Sequence, residues 1–278
     1  MEKKTLEYVA LYMIFYIGNK KNQMENGSIL KYTNKKNNEI GLIEKFLNNP
    51  IRNEVIQSKK RHYFYWKTNK KMLNGLTRTI KKKFFPNFSY DKMTKRKVCS
   101  SKKTGIRVHS ELYHHYHCSF VEFKDDCRCE CVSNSNKFHR YTKQAIEMFK
   151  KMEIEINDSE VIIFSRELKI ATKIDMIGTR WKGTDKEKMV VISIKTGSHN
   201  KYRKPDKMIG PLNFVDSIPS NHAQLQSMVE HMILEKEYNV KVTEYYILYL
   251  TNGDTIVEYL SGWCLDTKNR QNVYDFLK

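Results

Sequence analysis

Two charged residues stand where apolar strands would exclude them. Asp175 interrupts the strand-like run at residues 170–177, and Lys195 ends the run at 189–194, which is apolar except at Ser193. A charge inside a hydrophobic strand costs free energy unless it is paired or coordinates a metal. A carboxylate and a lysine so placed suit phosphodiester hydrolysis. The carboxylate holds Mg²⁺ or Mn²⁺ beside the scissile phosphate, while the lysine orients or deprotonates the attacking water and offsets developing charge. An Asp–Lys ion pair between adjacent strands accounts for the same pattern equally well.

A second cluster of donors precedes these runs. His114, His115, His117 and Cys118 are followed by Cys127, Cys129 and Cys131, enough soft ligands for Zn²⁺. On a strand, however, Cys-x-Cys-x-Cys turns all three thiols to one face, unlike the Cys-x2-Cys turn of common zinc sites. A buried cysteine face is therefore the expectation and a Zn²⁺ site at Cys118, Cys127, Cys129 and Cys131 the lesser alternative. Six Cys in 278 residues make no convincing disulfide framework. An intracellular, reducing compartment is expected, nucleus or cytoplasm.

The elements that must position these groups follow from periodicity. Residues 105–118 read as a helix, with Ile106, His109, Leu112, Tyr113 and Tyr116 on one face. Residues 119–132 alternate as a hairpin, and 140–151 form a helix. Three strands are expected at 160–165, 168–178 and 188–195, then an amphipathic helix at 221–238. Strands at 242–251 and 255–260 follow, joined by the turn signal Asn252-Gly253-Asp254. This order predicts an α/β or α+β domain, a central mixed sheet flanked by helices.

The first hundred residues differ in texture. Helical pieces are expected at 5–17 and 39–47, and the apolar stretch at 8–18 is too short to span a bilayer, so it reads as a buried helix with no membrane partner. Of the chain's 50 Lys and Arg, set against 31 Asp and Glu, sixteen fall within residues 55–105, where Asp91 is the lone acid. Aromatics interleave with them, from Tyr63 to Trp66 and at Phe84, Phe85, Phe88 and Tyr90. Cations neutralise phosphates and flat rings stack on bases, so the pattern fits nucleic acid, single strands included; DNA, single- or double-stranded, is the expected partner and RNA the lesser one. The clusters Lys59-Lys60-Arg61, Lys81-Lys82-Lys83 and Lys95-Arg96-Lys97 are the candidate contacts. A solvated cationic face over a small aromatic core is the competing reading. Residues 1–104 are accordingly expected to be a helical, basic nucleic-acid-binding region, and 105–278 the core domain. The Lys/Asn-rich, Gly- and Pro-poor composition suggests an AT-rich genome such as a virus's.

Four segments in register carry a family resemblance. Gly105-Ile-Arg-Val-His109-Ser-Glu111 is similar to a Gly-x-x-x-His helix. The stretch from Ser159 and Glu160 to Asp175 is similar to a strand pair ending in a metal-binding Asp. Val190-Val-Ile-Ser193-Ile-Lys195 stands where an Asp/Glu-x-Lys motif belongs, and His222-Ala-Gln224-Leu-Gln226 stands on the Gln-containing helix that follows. Together, over roughly residues 105–260, they resemble the PD-(D/E)XK nuclease superfamily in its RecB-like, lambda-exonuclease-like branch. The resemblance implies a restriction-endonuclease-like core and a Mg²⁺- or Mn²⁺-dependent hydrolase acting on DNA in recombination, repair or replication, exonuclease-like in action. It implies that Asp175 binds metal, that His109, with Glu111 as rival, completes the metal shell, and that Lys195 is the catalytic lysine. The carbonyl of Ile194 is a further metal donor. Gln226, or Gln224 in the alternative register, meets the substrate strand, and Glu160 supports the pocket with a lesser claim to a catalytic role.

The chain departs from that pattern at Ser193, where the family has an acid. A neutral hydroxyl is a poor substitute for a carboxylate on a hard cation. Either Glu230, on the helix at 221–238, projects into the vacated space, or the fold is a degenerate one that binds DNA or assembles without cutting. An RNA-directed nuclease is the third alternative.

Overall fold

The runs around Asp175 and Lys195 are neighbouring strands of one mixed sheet. The computed structural model describes residues 41–58, 63–88, 95–117, 137–196 and 206–278, the side chains of 42, 95–99 and 117 excepted. The helix expected at 5–17, the hairpin at 119–132 with its cysteines, and the Lys59-Lys60-Arg61 cluster lie outside the described residues. In chain order the elements are α1 (Leu42–Leu47), β1 (Val55–Gln57), β2 (Phe64–Trp66), β3 (Met72–Gly75), α2 (Leu76–Phe84), α3 (Lys95–His117), α4 (Arg140–Lys151), β4 (Ile154–Ser165), β5 (Ile170–Arg180), β6 (Lys188–Thr196), α5 (Pro219–Tyr238), β7 (Glu244–Leu250), β8 (Thr255–Tyr259), α6 (Gly262–Leu265) and α7 (Thr267–Leu277). The eight described strands form one sheet flanked by helices, an α/β fold. Among the described residues no helix is long and apolar enough to cross a membrane.

β6 is buried from Met189 to Ile194, which is why its sequence is a nearly unbroken apolar run. Val190, Ile192 and Ile194 pack with Val108 and Leu112 of α3 and Ala145 and Phe149 of α4. Met189 and Val191 join Leu225, Val229 and Ile233 of α5 in the other apolar cluster. The sheet is thus sandwiched, with α5 buried on nearly every side and carrying polar side chains such as Gln224 and Glu230 into the interior. Pro219 opens α5 and Asn239 ends it in the left-handed conformation at φ 52°. α5 then forms the crossover between β6 and β7, which pair in parallel from Val190–Glu244 to Thr196–Leu250.

The segment at 55–84 corrects the expected helical N-terminal region. It supplies β1, β2 and β3 to the same sheet, with β3 pairing in parallel to β5 through Asn74–Ile170 and Gly75–Ala171. Of its aromatics Tyr63 is exposed, but Phe64, Phe84 and Phe85 are buried and Trp66 packs on the same cluster. Their apolar area is worth more against α5 and the sheet than in water. The boundary drawn after residue 104 falls inside α3. β4 likewise starts at Ile154 rather than at 160, its polar middle hidden by a bulge between Ile156 and Asp158.

β5 carries the feature that makes a site. β4 pairs with it from Ser165–Ile170 to Ile154–Arg180, occupying one edge throughout. β3 and β6 must therefore share the other edge, β3 at its start and β6 at its end. The β5–β6 ladder runs from Arg180–Lys188 only to Met176–Ile192 and then opens. β6 stays with β7, and a fork is left beside residues 172–175.

Candidate metal centre

Asp175 sits at the mouth of the fork, where β6 has left its partner. Its Oδ2 accepts the backbone N–H of Ile194 at 2.6 Å and the hydroxyl of Ser193 at 3.3 Å. The carboxylate thus takes up a strand N–H that the open ladder would otherwise leave unpaired. Ser193 is buried and donates to Asp175 without adding charge.

Glu160 reaches the same space from β4. By register it lies opposite Asp175, between the pairs Ser159–Met176 and Val161–Ile174. Its φ of 54° is left-handed inside a strand, a conformation that costs a non-glycine residue about 1–2 kcal/mol. Oε2 accepts from the Lys173 ammonium at 3.0 Å, and Oε1 lies 3.0 Å from His109 Nδ1.

His109 comes down from α3, which approaches the end of β6 because Gly105 has no side chain. A Cβ there would stand 3.1 Å from Thr196 Oγ1. One helical turn further on, His109 Nδ1 lies 3.6 Å from Asp175 Oδ1. Burial is the largest influence on the imidazole and lowers its pKa, but Asp175 and Glu160 together outweigh it, so the net shift is upward. For Glu160 burial works to raise the pKa, and His109 and Lys173 overcome it, holding the carboxyl below its ordinary value.

Among the described residues, His109, Glu160 and Asp175 form one group able to hold a metal ion, their donor atoms all within 4.8 Å of one another. Their side chains are 27%, 23% and 15% exposed, enough to admit a ligand. Two carboxylates and an imidazole match Mn²⁺ well and Mg²⁺ through the oxygens. Lys195 stands two residues after Ser193 on β6, and its charge works to lower the pKa of both His109 and Glu230. No described side chain accepts a hydrogen bond from its ammonium.

The other candidates are placed elsewhere. Glu111, two residues from His109, lies on a different face of α3 and holds the start of α4. It accepts from Thr142 Oγ1 at 2.6 Å, the His139 N–H at 2.8 Å and Arg107 Nε at 2.7 Å. Glu230 is fully buried in α5, where Gln226 Nε2 at 2.8 Å, Thr172 Oγ1 at 3.3 Å and the Tyr245 hydroxyl all donate to it. It stands outside the donor group. Gln224 is buried and bound to the Tyr259 carbonyl and the Ser261 N–H, each at 2.9 Å, whereas half-buried Gln226 turns to Glu230. Ile194, in register with Leu248 of β7, is the exception: its backbone N–H turns to Asp175, so it borders the fork. Of the basic clusters, Lys81 and Lys82 face solvent while Lys83 donates to the Phe276 carbonyl at 2.5 Å. The side chains of Lys95, Arg96 and Lys97 lie outside the described residues, as do Cys118, Cys127, Cys129 and Cys131.

In the sequence Glu160 stands out less than Asp175 and Lys195, as a pocket residue with a lesser claim to chemistry. Its position depends on the β4 bulge and the cross-strand register, neither of which a local pattern reveals. The positively charged Lys173 beside Asp175 was the available signal, since a buried-strand lysine needs an acid across the ladder.

No family model and no curated protein matches this chain. Among solved structures, one described as "Crystal structure of SSO0001" is 14% identical over 63% of this chain and 84% of that chain, with a TM-score of 0.23. A superposition that loose carries no argument about this fold or its site.

Proposed function

We propose that this chain is a divalent-metal-dependent nuclease that hydrolyses phosphodiester bonds in DNA, in the manner of enzymes of recombination, repair or replication. The convergence of His109, Glu160 and Asp175 at the β5–β6 fork, beside the Lys195 ammonium, is the observation that carries this reading. His109, Glu160 and Asp175 would hold Mg²⁺ or Mn²⁺. The ion would supply Lewis acidity toward a phosphoryl oxygen and toward the attacking water. Lys195 offsets negative charge as it builds on the phosphate. Gln226, whose amide is oriented by Glu230, would meet the substrate strand. Lys81 and Lys82 contribute to a cationic surface that attracts the backbone.

A second reading, a nuclease-type fold retained for holding DNA, is favoured by one observation. Ser193 brings no charge to the site, and one Asp175 oxygen, Oδ2, is already taken by Ile194 and Ser193.

The separating experiment uses labelled linear duplex and single-stranded DNA with Mn²⁺, Mg²⁺ or EDTA, and Lys195→Ala beside the wild type. The expected result is metal-dependent product that falls by about a hundredfold or more in the variant. Tight binding without cleavage in any metal would leave the second reading standing.

A further inference from the structure

We infer that Glu160, reaching across from β4, supplies the carboxylate that β6 lacks at Ser193, so that the two acids of the metal centre come from β4 and β5 instead of β5 and β6. This inference rests on the metal-site reading above and identifies which side chain completes it. A hard divalent ion is held by negatively charged oxygens, and with Ser193 in place Asp175 is the sole acid on the β5–β6 pair at the fork. Three glutamates are close enough in the fold to be asked for the second charge.

Glu111 is excluded by its bonds, since both its oxygens hold the start of α4 and Arg107. Glu230 is excluded by its enclosure, because donors from α5, β5 and β7 converge on it and it has no exposed face. Glu160 meets the requirement. Lys173 holds Oε2, which fixes the carboxylate plane and leaves Oε1 in the space shared with His109 Nδ1 and Asp175 Oδ1. Lys173 also balances the extra charge that two carboxylates bring to one fork. The exchange is geometrically direct: Ser193 and Glu160 approach Asp175 from its two flanking strands, β6 and β4, so a charge moved from one to the other still faces the same oxygen pair.

Reciprocal replacement tests the exchange. Mn²⁺ affinity would be measured by titration calorimetry and by loss of the free Mn²⁺ paramagnetic resonance signal, with melting curves to verify that each variant folds. Wild type, Asp175→Asn, Glu160→Gln and the double variant Glu160→Gln/Ser193→Asp are compared. Binding is expected to weaken about tenfold or more in Glu160→Gln and further in Asp175→Asn, and to return to within about threefold of wild type in the double variant. If Glu160→Gln binds as the wild type does while Asp175→Asn does not, the inference fails and the metal site stands. Loss in Glu160→Gln with no recovery in a folded double variant also overturns the exchange. If the wild type binds no Mn²⁺, or Asp175→Asn binds equally well, the metal-site reading fails and takes the inference with it.

Discussion

The Glu230 carboxyl is enclosed in α5, and its acid–base behaviour follows from that enclosure. Burial pushes its pKa up to about 7, against the hydrogen bonds from Tyr245 and Gln226 and the charge of Lys195, while Asp175 adds to the rise. Between pH 4.5 and 7 the folded protein therefore holds a proton that the unfolded chain has released. Stability falls as pH rises through that window and levels off above it, by an amount on the order of 3 kcal/mol. Urea unfolding of metal-free protein across pH 5 to 8 is expected to show this slope, and Glu230→Gln to flatten it and gain stability at the alkaline end. An unchanged slope in the variant would assign the effect to another group. At this scale Asp175 and Lys195 were legible because a charge in an apolar strand announces itself. His109 and Glu111 were ambiguous because two positions apart in sequence leaves open which one a helix turns inward. Glu160 was undervalued because its place depends on what another strand puts opposite it.

Among the elements, the β4–β5 pair governs the spacing of the two acids. Gly178 lets these strands close around the β4 bulge, since a Cβ there would lie 2.5 Å from the Glu155 carbonyl oxygen and 2.8 Å from Ile154 Cγ2. Backbone cannot yield as a flexible side chain does. Gly178→Ala is expected to cost about 1–3 kcal/mol in urea unfolding and to weaken Mn²⁺ binding by shifting Glu160 relative to Asp175. Full retention of both would mean the strands absorb the methyl elsewhere. The long strands were legible because β5 and β6 have enough residues for a pattern to repeat, and α4 emerged with the bounds that its periodicity gave. β1, β2 and β3 have three or four residues each, too few for any period, and they lie in a segment whose positive charge masks its apolar positions.

Across the whole molecule the net charge of +19 is concentrated but not uniformly available. Lys81 and Lys82 are exposed on α2, and Lys81 is close enough to add its repulsion to the burial that holds His222 down at about 4. α2 therefore adjoins α5, the helix that carries Gln226 and Glu230. Fluorescence anisotropy of labelled DNA between about 50 and 200 mM salt is expected to show a log–log slope smaller by up to about 2 in Lys81→Ala/Lys82→Ala. Lys83→Ala, whose ammonium is tied to Phe276, is expected to leave the slope nearly unchanged; equal effects from all three lysines would contradict this assignment. The division into a basic arm and a separate core was illegible in the right form, because β3 joins β5 only through pairing distant in sequence. The fork has one further consequence, for how its residues are divided between near and distant parts of the chain. Glu160, Lys173, Asp175 and Lys195 all belong to one up-and-down run of chain, β4 to β6, whose turns are short, so closing it requires little loop entropy. His109 lies 51 positions before Glu160 and must dock from across that distance. The acids and lysines thus share one local meander, whereas the imidazole reaches them only through the packing of α3, so the group is complete only where that long-range contact is made.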